Sequence, residues 1–212
     1  MVTKIRGCAA WRFLVRFKNG QWRHEPGEIV VLDLGRKATV DDLEIVKGQI
    51  EIVDDCLVVH TPNGWKNARA RGSILFSLHE YEEDHKGDGV VFSSTVGYPV
   101  NAPHRKAICA DVAWYTGPLD DDSDKSPPLF AAEVRDFANY GDEAEAFLAT
   151  KLEDYFAAGT QVVWDVDVLR EEVIRVYRAS DPENPTTCRR GEIAEAEPAV
   201  PGWRFPVDEL WD

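Results

Sequence analysis

The segment "PPLFAAEVRDF" (residues 127–137) decides how the fold is interpreted. Its apolar run, 129–132, is typical of a buried strand, yet Glu133 and Arg135 follow with only Val134 between them. Because side chains alternate between the two faces of a strand, this acid and this base share one face. Charged side chains are rarely buried without partners, so the face needs either an ion-pair network or a functional cavity.

The composition is that of one globular domain of generous size. The 212 residues are 44% hydrophobic and include 7 Trp, which excludes an intrinsically disordered chain. No apolar run reaches the ~18 residues of a transmembrane helix, and the amino terminus lacks the continuous apolar region of a signal peptide. We therefore expect a cytoplasmic protein with no membrane partner.

The cysteines are widely spaced and form no CxxC pair; they are Cys8, Cys56, Cys109 and Cys188. This spacing argues against a zinc site. In a cytoplasmic protein they are interpreted as four reduced thiols.

The negative charge is unevenly distributed. The net charge is -14, which on average repels nucleic acid. Residues 1–24 nevertheless contain no acid and six basic residues, namely Lys4, Arg6, Arg12, Arg16, Lys18 and Arg23. A polyanion would therefore bind locally, at this basic arm or where a metal cancels carboxylates.

The same arm carries a β-hairpin signal. Asn19-Gly20 is the favoured pair for a type I′ turn, and apolar residues before it alternate with mostly basic ones. The basic face is interpreted either as a solvated outer face or as a ribbon that contacts phosphates. We predict a basic β-hairpin extension over residues 1–38 and a single domain over residues 39–212.

The order of predicted elements indicates an α/β (α+β) fold with a mixed sheet. Strands with a turn at Asp54-Asp55 precede a helix that Asn63-Gly64 opens and that runs to about residue 83, and "KAICADVAWY" is interpreted as one further strand. The apolar pattern of this first helix places five residues roughly on one side, namely Trp65, Ala68, Leu75, Leu78 and His79. The second helix, 142–158, is the clearest, because acids crowd its first turn and Gly159 follows it. Two strands then pair around "VLR".

Lys151 is unusual in the second helix. It lies one turn before Tyr155 on the apolar stripe, so it faces inward. Either its ammonium group reaches the surface along the helix, or it meets an acid on the sheet. Asp111 and Glu133, 22 residues apart, are the candidates, because adjacent strands would bring their ends together.

Two carboxylates on neighbouring strands with a lysine above them suit a hard cation of the Mg²⁺ type. Such a cation polarises a phosphoryl oxygen and activates water, while a lysine stabilises the charge that develops. A buried ion-pair network of Asp111 and Glu133 with Lys151 or Arg135 is the alternative.

At this point the sequence resembles a known family. "ADVAWY", "LFAAEVRDFANYG", "KLEDYFAAGTQVVWDVD" and "VIRVYRA" are similar to the Uma-type restriction endonucleases of the PD-(D/E)XK nuclease superfamily. Upstream, "GQIEIVDDCLVVHTPNG" resembles the family's entry hairpin more loosely. The resemblance spans about residues 40–210, and the segment 128–178 is its specific part.

The resemblance implies a restriction-endonuclease-like core, a mixed β-sheet flanked by helices, that hydrolyses phosphodiester bonds. It implies Mg²⁺, with Mn²⁺ as a substitute, bound by Asp111 and Glu133, with Glu51 as a further ligand. Lys151 would stabilise the attacking water or the transition state. Nucleic acid is the implied partner, DNA rather than RNA, and pairing into a homodimer follows by analogy.

The sequence departs from the family pattern at two positions. Ala110 replaces the usual Pro before Asp111, and Arg135 stands where Lys is usual. Arginine stays protonated, so Arg135 is expected to clamp a phosphate or form an ion pair rather than act as a base.

Two other functions remain open. The same fold without catalysis would act in nucleic-acid binding, regulation or assembly, with the acids held as ion pairs. Hydrolysis by a Ser/His pair is weaker, because the sequence contains no GxSxG motif and its histidines are scattered.

Overall fold

The computed structural model describes residues 16–18, 21–23, 29–32, 34, 36–44, 49–60, 64–93, 96–119 and 126–212. The helices are α1, Trp65–Asp84, and α2, Asp142–Ala158, with 3-10 turns at Val40–Glu44 and Val207–Leu210. The strands are β1 Arg16–Lys18, β2 Gln21–Arg23, β3 Ile29–Leu32, β4 Gln49–Val53, β5 Cys56–His60, β6 Val90–Ser93, β7 Gly97–Pro99, β8 Arg105–Cys109, β9 Val112–Tyr115, β10 Phe130–Val134, β11 Val162–Asp167, β12 Val173–Arg178, β13 Asp181–Arg189, β14 Ile193–Glu195 and β15 Arg204–Pro206.

Two larger sheets form the body of the fold. The six-stranded sheet has the order β13-β12-β11-β10-β9-β6, and the five-stranded sheet has the order β3-β5-β4-β8-β7. Strands β10 and β11 pair in parallel, while their outer neighbours pair antiparallel, so the six-stranded sheet is mixed. Parallel neighbours require a crossover connection, which α2 supplies. The predicted mixed α/β architecture is confirmed.

The helices lie on opposite faces of the six-stranded sheet. Ile74 and Leu78 of α1 belong to a buried cluster with Trp114, Phe130 and Trp164 of the sheet. Tyr155 and Leu152 of α2 pack on the other face, against Ala113, Ala131 and Val163. Strand alternation therefore places Glu133 on the α2 face and its neighbour Val134 in the α1 core.

The chain changes sheets at Asp111. The segment predicted as one strand is two, because β8 belongs to the five-stranded sheet and β9 to the six-stranded one. At the break, the Asp111 N–H donates to the Ala132 carbonyl (3.1 Å), and the Asp111 carboxylate accepts the Val134 N–H (2.8 Å). Val112 pairs with Ala132, so β9 and β10 are adjacent, as predicted.

Several local predictions are confirmed. Helix α2 spans 142–158, and Gly159 closes it in the left-handed region at φ 115°. Asp54 and Asp55, at φ 47° and 64°, form the turn between β4 and β5. Strands β1 and β2 pair antiparallel, while the Asn19-Gly20 turn lies outside the described residues. The division at residue 38 stays a prediction.

The buried face of α1 differs from the predicted one. It consists of Asn67, Ala70, Ile74, Leu78 and Tyr81. Trp65 and His79, which the apolar pattern placed on that face, are exposed. The pattern was misleading because exposed aromatic side chains interrupt the helical stripe.

One cysteine also differs from expectation. Cys109 and Cys188 are buried thiols, but Cys56 takes part in a disulfide, so the prediction of four reduced thiols is wrong there. Disulfide pairing depends on the separation of Cα atoms in the folded chain, which sequence spacing does not reveal. Separately, no helix in the described ranges combines the length and apolar character needed to cross a bilayer.

Candidate active site

A cavity of about 60 Å³ opens where the two sheets and both helices meet. Asp111, Glu133, Arg135 and Lys151 all line it. The fold therefore brings together four predicted site residues that are up to 40 positions apart in the sequence. A space of this size holds a few water molecules, so polar groups on its wall are accessible to small ligands.

Asp111 is fixed by three donors. Its Oδ1 accepts a hydrogen bond from Gln49 Nε2 (2.9 Å) and pairs with Arg71 Nη2 (2.7 Å). Its Oδ2 accepts the Val134 N–H (2.8 Å). The side chain is only 3% exposed, so β4, α1 and β10 together set its orientation.

Glu133 projects from β10 toward α2. Lys151 Nζ donates to Glu133 Oε2 (2.9 Å), and the Tyr155 hydroxyl donates to Oε1 (2.6 Å). Burial raises the pKa of Glu133 above its ordinary value, and Lys151 offsets this only in part because Asp111 and Glu51 add repulsion. Burial and the neighbouring carboxylates therefore outweigh Lys151 in setting the pKa of Glu133.

Lys151 is the inward-facing lysine that the stripe of α2 predicted. Its ammonium group lies 2.9 Å from Glu133 Oε2 and from Glu51 Oε1, and 3.1 Å from the Cys109 carbonyl oxygen. Burial would lower the pKa of Lys151, but the two carboxylates raise it above its ordinary value. Lys151 therefore stays protonated and serves as a cation rather than as a base.

Glu51 lies behind Lys151 and does not line the cavity. It is fully buried, accepts the Cys109 N–H at 3.2 Å and lies 3.2 Å from His60 Nε2. Burial would raise its pKa, yet Lys151 and His60 hold the pKa of Glu51 well below its ordinary value. Its role as a metal ligand stays a prediction, while its contacts make it a partner of Lys151.

Arg135 is held by two carboxylates. Its Nε and Nη2 donate to Asp165 at 2.6 and 2.9 Å, and both terminal nitrogens donate to Glu145. Nη1 also reaches the Asn139 carbonyl oxygen (3.4 Å). Burial would lower the pKa of Arg135, but these acids raise it. All five N–H donors are occupied, which fits the ion-pair role rather than a phosphate clamp.

The side chains at the site are of the types that bind a hard cation, but they do not form a complete coordination shell. Within the part of the chain that the structure describes, no three His, Cys, Asp or Glu side chains group closely enough to form a metal site by themselves. Asp111 and Glu133 nevertheless offer carboxylate oxygens on one cavity wall. Mg²⁺ is commonly held by one or two carboxylates and keeps several waters, so this donor set fits it.

Several polar residues that line the cavity were not predicted from the sequence. Gln49, Arg71 and His60 line the cavity but lie in β4, α1 and β5, far in sequence from Asp111. Gln49 could have been identified as a site residue, since it shares a strand face with Glu51 two residues later. Arg71 could not, because an arginine on a helix is ordinarily a solvated side chain.

Comparison with known proteins supports the fold and the family. The structure is similar to that of a "putative nuclease belonging to DUF820" from Anabaena variabilis ATCC 29413, with a TM-score of 0.63 and 11% identity, covering 82% of this chain and 97% of that one. This likeness confirms the predicted restriction-endonuclease-like fold. No curated protein matches the chain. Residues 40–208 match the Uma2 family, described as "Putative restriction endonuclease", so the protein belongs to that nuclease family.

Proposed function

We propose that the protein is a Mg²⁺-dependent endonuclease that hydrolyses phosphodiester bonds of DNA. One observation carries the proposal: Asp111, at the junction of β8 and β9, and Glu133, on the adjacent strand β10, line one cavity with Lys151. Mn²⁺ would substitute for Mg²⁺ because it prefers the same oxygen ligands. A homodimer that presents two such cavities to the two DNA strands is part of the proposal by fold analogy.

The roles follow from the contacts. Asp111 and Glu133 would hold the metal, which supplies polarisation of a phosphoryl oxygen and activation of water. Gln49 and Arg71 orient the Asp111 carboxylate. Lys151, kept protonated between Glu133 and Glu51, stabilises the attacking water or the negative charge that grows on the phosphate.

A second function is supported by a specific observation. Each oxygen of the Asp111 and Glu133 carboxylates already accepts a hydrogen bond from a protein group. Such a network can be purely structural. A catalytically inactive module that acts in nucleic-acid binding, regulation or assembly would use the same fold and keep these acids as ion pairs.

Plasmid cleavage separates the two functions. Purified protein is incubated with supercoiled plasmid at low salt with Mg²⁺, with Mn²⁺ or with EDTA, beside Asp111→Asn and Lys151→Met, whose side chains are close in size to the originals. We expect metal-dependent nicking by the natural sequence and at least a hundredfold loss in both variants, as removal of a transition-state charge commonly causes.

Stability measurements complete the test. Circular dichroism and thermal unfolding show whether each variant is folded, and calorimetric titration with Mg²⁺ shows whether the acids bind the metal. Nicking that is equal in EDTA, or equal in Asp111→Asn, would contradict the endonuclease proposal. Absence of both nicking and Mg²⁺ binding in folded protein would favour the inactive module.

A further inference from the structure

Two large aromatic side chains are strongly exposed on segments that also contribute residues to the cavity wall. Trp65 is 74% exposed at the start of α1, and Phe137 is 69% exposed after β10. Burial of rings of this size stabilises a fold, so two rings left in water do not contribute to the stability of this one. We call Trp65 and Phe137 together the aromatic rim.

The aromatic rim is fixed beside the cavity by hydrogen bonds between its two segments. The Gly64 N–H donates to Asp136 Oδ2 (2.6 Å), and the Phe137 ring lies 3.5 Å from the point where a Cβ on Gly64 would be. Asn67 Nδ2 of α1 donates to the Arg135 carbonyl oxygen (3.2 Å). The residues that flank Phe137 at Arg135 and Asn139 line the cavity, so the rim adjoins its wall.

The first two turns of α1, which carry Trp65, are basic in an acidic protein. Lys66, Arg69 and Arg71 occupy the first two turns of α1, and the first turn contains no acid. Cations at this end of a helix oppose the macrodipole, so helix stability does not favour them. Lys66 and Arg69 are exposed, Lys66 Nζ lies 5.9 Å from the centre of the Trp65 ring, and Arg71 reaches the cavity.

We propose that the aromatic rim stacks on unpaired bases of the substrate. Aromatic rings interleaved with basic side chains are the arrangement that holds single-stranded nucleic acid, because rings stack on bases while cations hold the backbone. In a duplex the base faces are already stacked on each other, so the rim selects single-stranded DNA or unpaired nucleotides next to the phosphate in the cavity. This inference rests on the proposed function and names its substrate class.

Charge complementarity favours this occupant over a protein partner. With a net charge of -14, the protein on average repels a polyanion, so attraction has to be local. The rim adjoins a cavity whose wall carries the cations Arg71, Arg135 and Lys151 beside the carboxylates of Asp111, Glu133 and Asp165. A protein partner would require only the apolar rings and gives no reason for the cations of α1.

Binding to oligonucleotides tests the inference. The full-length protein is titrated with a fluorescein-labelled single-stranded DNA of mixed sequence, and with the corresponding duplex, at low salt and in EDTA so that no cleavage occurs. Trp65→Ala, Phe137→Ala and the double variant are compared with Phe76→Ala. Phe76 is a matched control, because it is 64% exposed in the same helix but is followed by Glu80, Glu82, Glu83 and Asp84.

We expect each rim variant to weaken single-strand binding by about fivefold or more, the loss typical of one stacked base. The affinity of the rim variants for the duplex, and the affinity of Phe76→Ala for the single strand, should change by less than about twofold. Equal losses for duplex and single strand, or unchanged single-strand binding in the double variant, would overturn the inference.

The outcome is separable from that of the proposed function. Metal-dependent nicking that depends on Asp111, together with rim variants that bind single strands normally, would reject the rim and retain the nuclease. Loss of single-strand binding in the rim variants, without cleavage of plasmid or of single-stranded DNA under any metal, would retain the rim and reject catalysis. Thermal unfolding of every variant excludes misfolding as the cause.

Discussion

At the scale of single residues, the candidate site depends on how each cation is partnered. Lys151 lies between two carboxylates on the cavity side of the sheet. Arg135, although it occupies the position where the superfamily resemblance implies Lys, is enclosed by Asp165 and Glu145. The two cations are therefore not interchangeable, because Lys151 contacts Glu133 at the cavity wall while Arg135 is held by Asp165 and Glu145.

Arg135→Lys tests this difference directly. A lysine provides three donors without the planar fork, so it cannot reproduce the paired bonds to Asp165 and Glu145. We expect a loss of about 1–3 kcal/mol in the free energy of unfolding, measured by urea denaturation, and no gain in plasmid cleavage.

Arg204→Lys is the control for Arg135→Lys. Arg204 pairs with Glu195 at 3.1 Å, but both side chains are largely exposed, so the exchange should be nearly neutral. If Arg135→Lys were equally neutral, or cleaved faster than the natural sequence, Arg135 would not have the structural ion-pair role that its contacts with Asp165 and Glu145 indicate.

Asp167 gives a prediction about pH. Burial would raise its pKa, but the Tyr140 hydroxyl (2.6 Å) and the N–H groups of Leu169 and Arg170 lower it. A carboxylate with a lowered folded pKa stabilises the fold above its unfolded pKa of about 4, and that contribution is lost as the pH falls through the folded value.

Asp167→Asn should therefore lower the free energy of unfolding by about 1–3 kcal/mol at pH 7, because charged hydrogen bonds are lost. The difference from the natural sequence should shrink as the pH falls below about 4. Urea denaturation at several pH values measures it, with Tyr140→Phe as a partial version of the same change. A difference that stayed constant with pH would contradict the assignment.

At the scale of elements, the ends of the helices set where the site residues point. Helix α2 ends at Gly159, whose left-handed conformation lets the chain turn back into β11. Because β11 pairs with β10, this turn controls the register that places Asp165 opposite Glu133. The cap and the site are thus coupled through one strand pair.

A pair of glycine substitutions tests the cap. Gly159→Ala forces a side chain into the left-handed region and should cost about 1–2 kcal/mol of stability. Gly72→Ala lies within α1, where an added Cβ meets nothing within 4 Å, and should gain about 0.5–1 kcal/mol. Thermal unfolding that moved in the same direction for both variants would contradict the role given to Gly159.

The elements also show what the sequence could predict. The bounds of α2 and the inward position of Lys151 were correct, because a regular stripe between an acidic first turn and a glycine is a strong local signal. The adjacency of β9 and β10 was predictable from the spacing of Asp111 and Glu133.

The remaining features depend on contacts between distant segments. The change from one sheet to the other at Asp111 cannot be predicted from "KAICADVAWY", because its apolar pattern is continuous on both sides of the acid. Arg71 and Gln49 reach Asp111 only once α1 and β4 have packed, so neither carries a local signal. The predicted buried face of α1 was partly wrong because it included Trp65 and His79, whose side chains are exposed.

At the scale of the whole molecule, the distribution of charge must be reconciled with a polyanionic substrate. The excess of acids, net charge -14, lies outside residues 1–24, which carry only basic charge. The basic face of the β1–β2 hairpin therefore retains its two interpretations, a solvated face or a ribbon that contacts phosphates.

The salt dependence of DNA binding decides between them. The six basic residues of 1–24 are replaced together by Gln, and binding of a labelled DNA duplex is measured by anisotropy over a range of KCl concentrations. Each phosphate contact contributes about 0.9 to the magnitude of the slope of log K against log salt, so loss of a contacting ribbon should reduce that magnitude by up to about 5.

Replacement of three exposed arginines at the other end of the chain is the control and should change the slope little; they are Arg189, Arg190 and Arg204. An unchanged slope in the six-residue variant would identify the basic face as solvated and leave the attraction of DNA to the surface around Trp65 and the cavity.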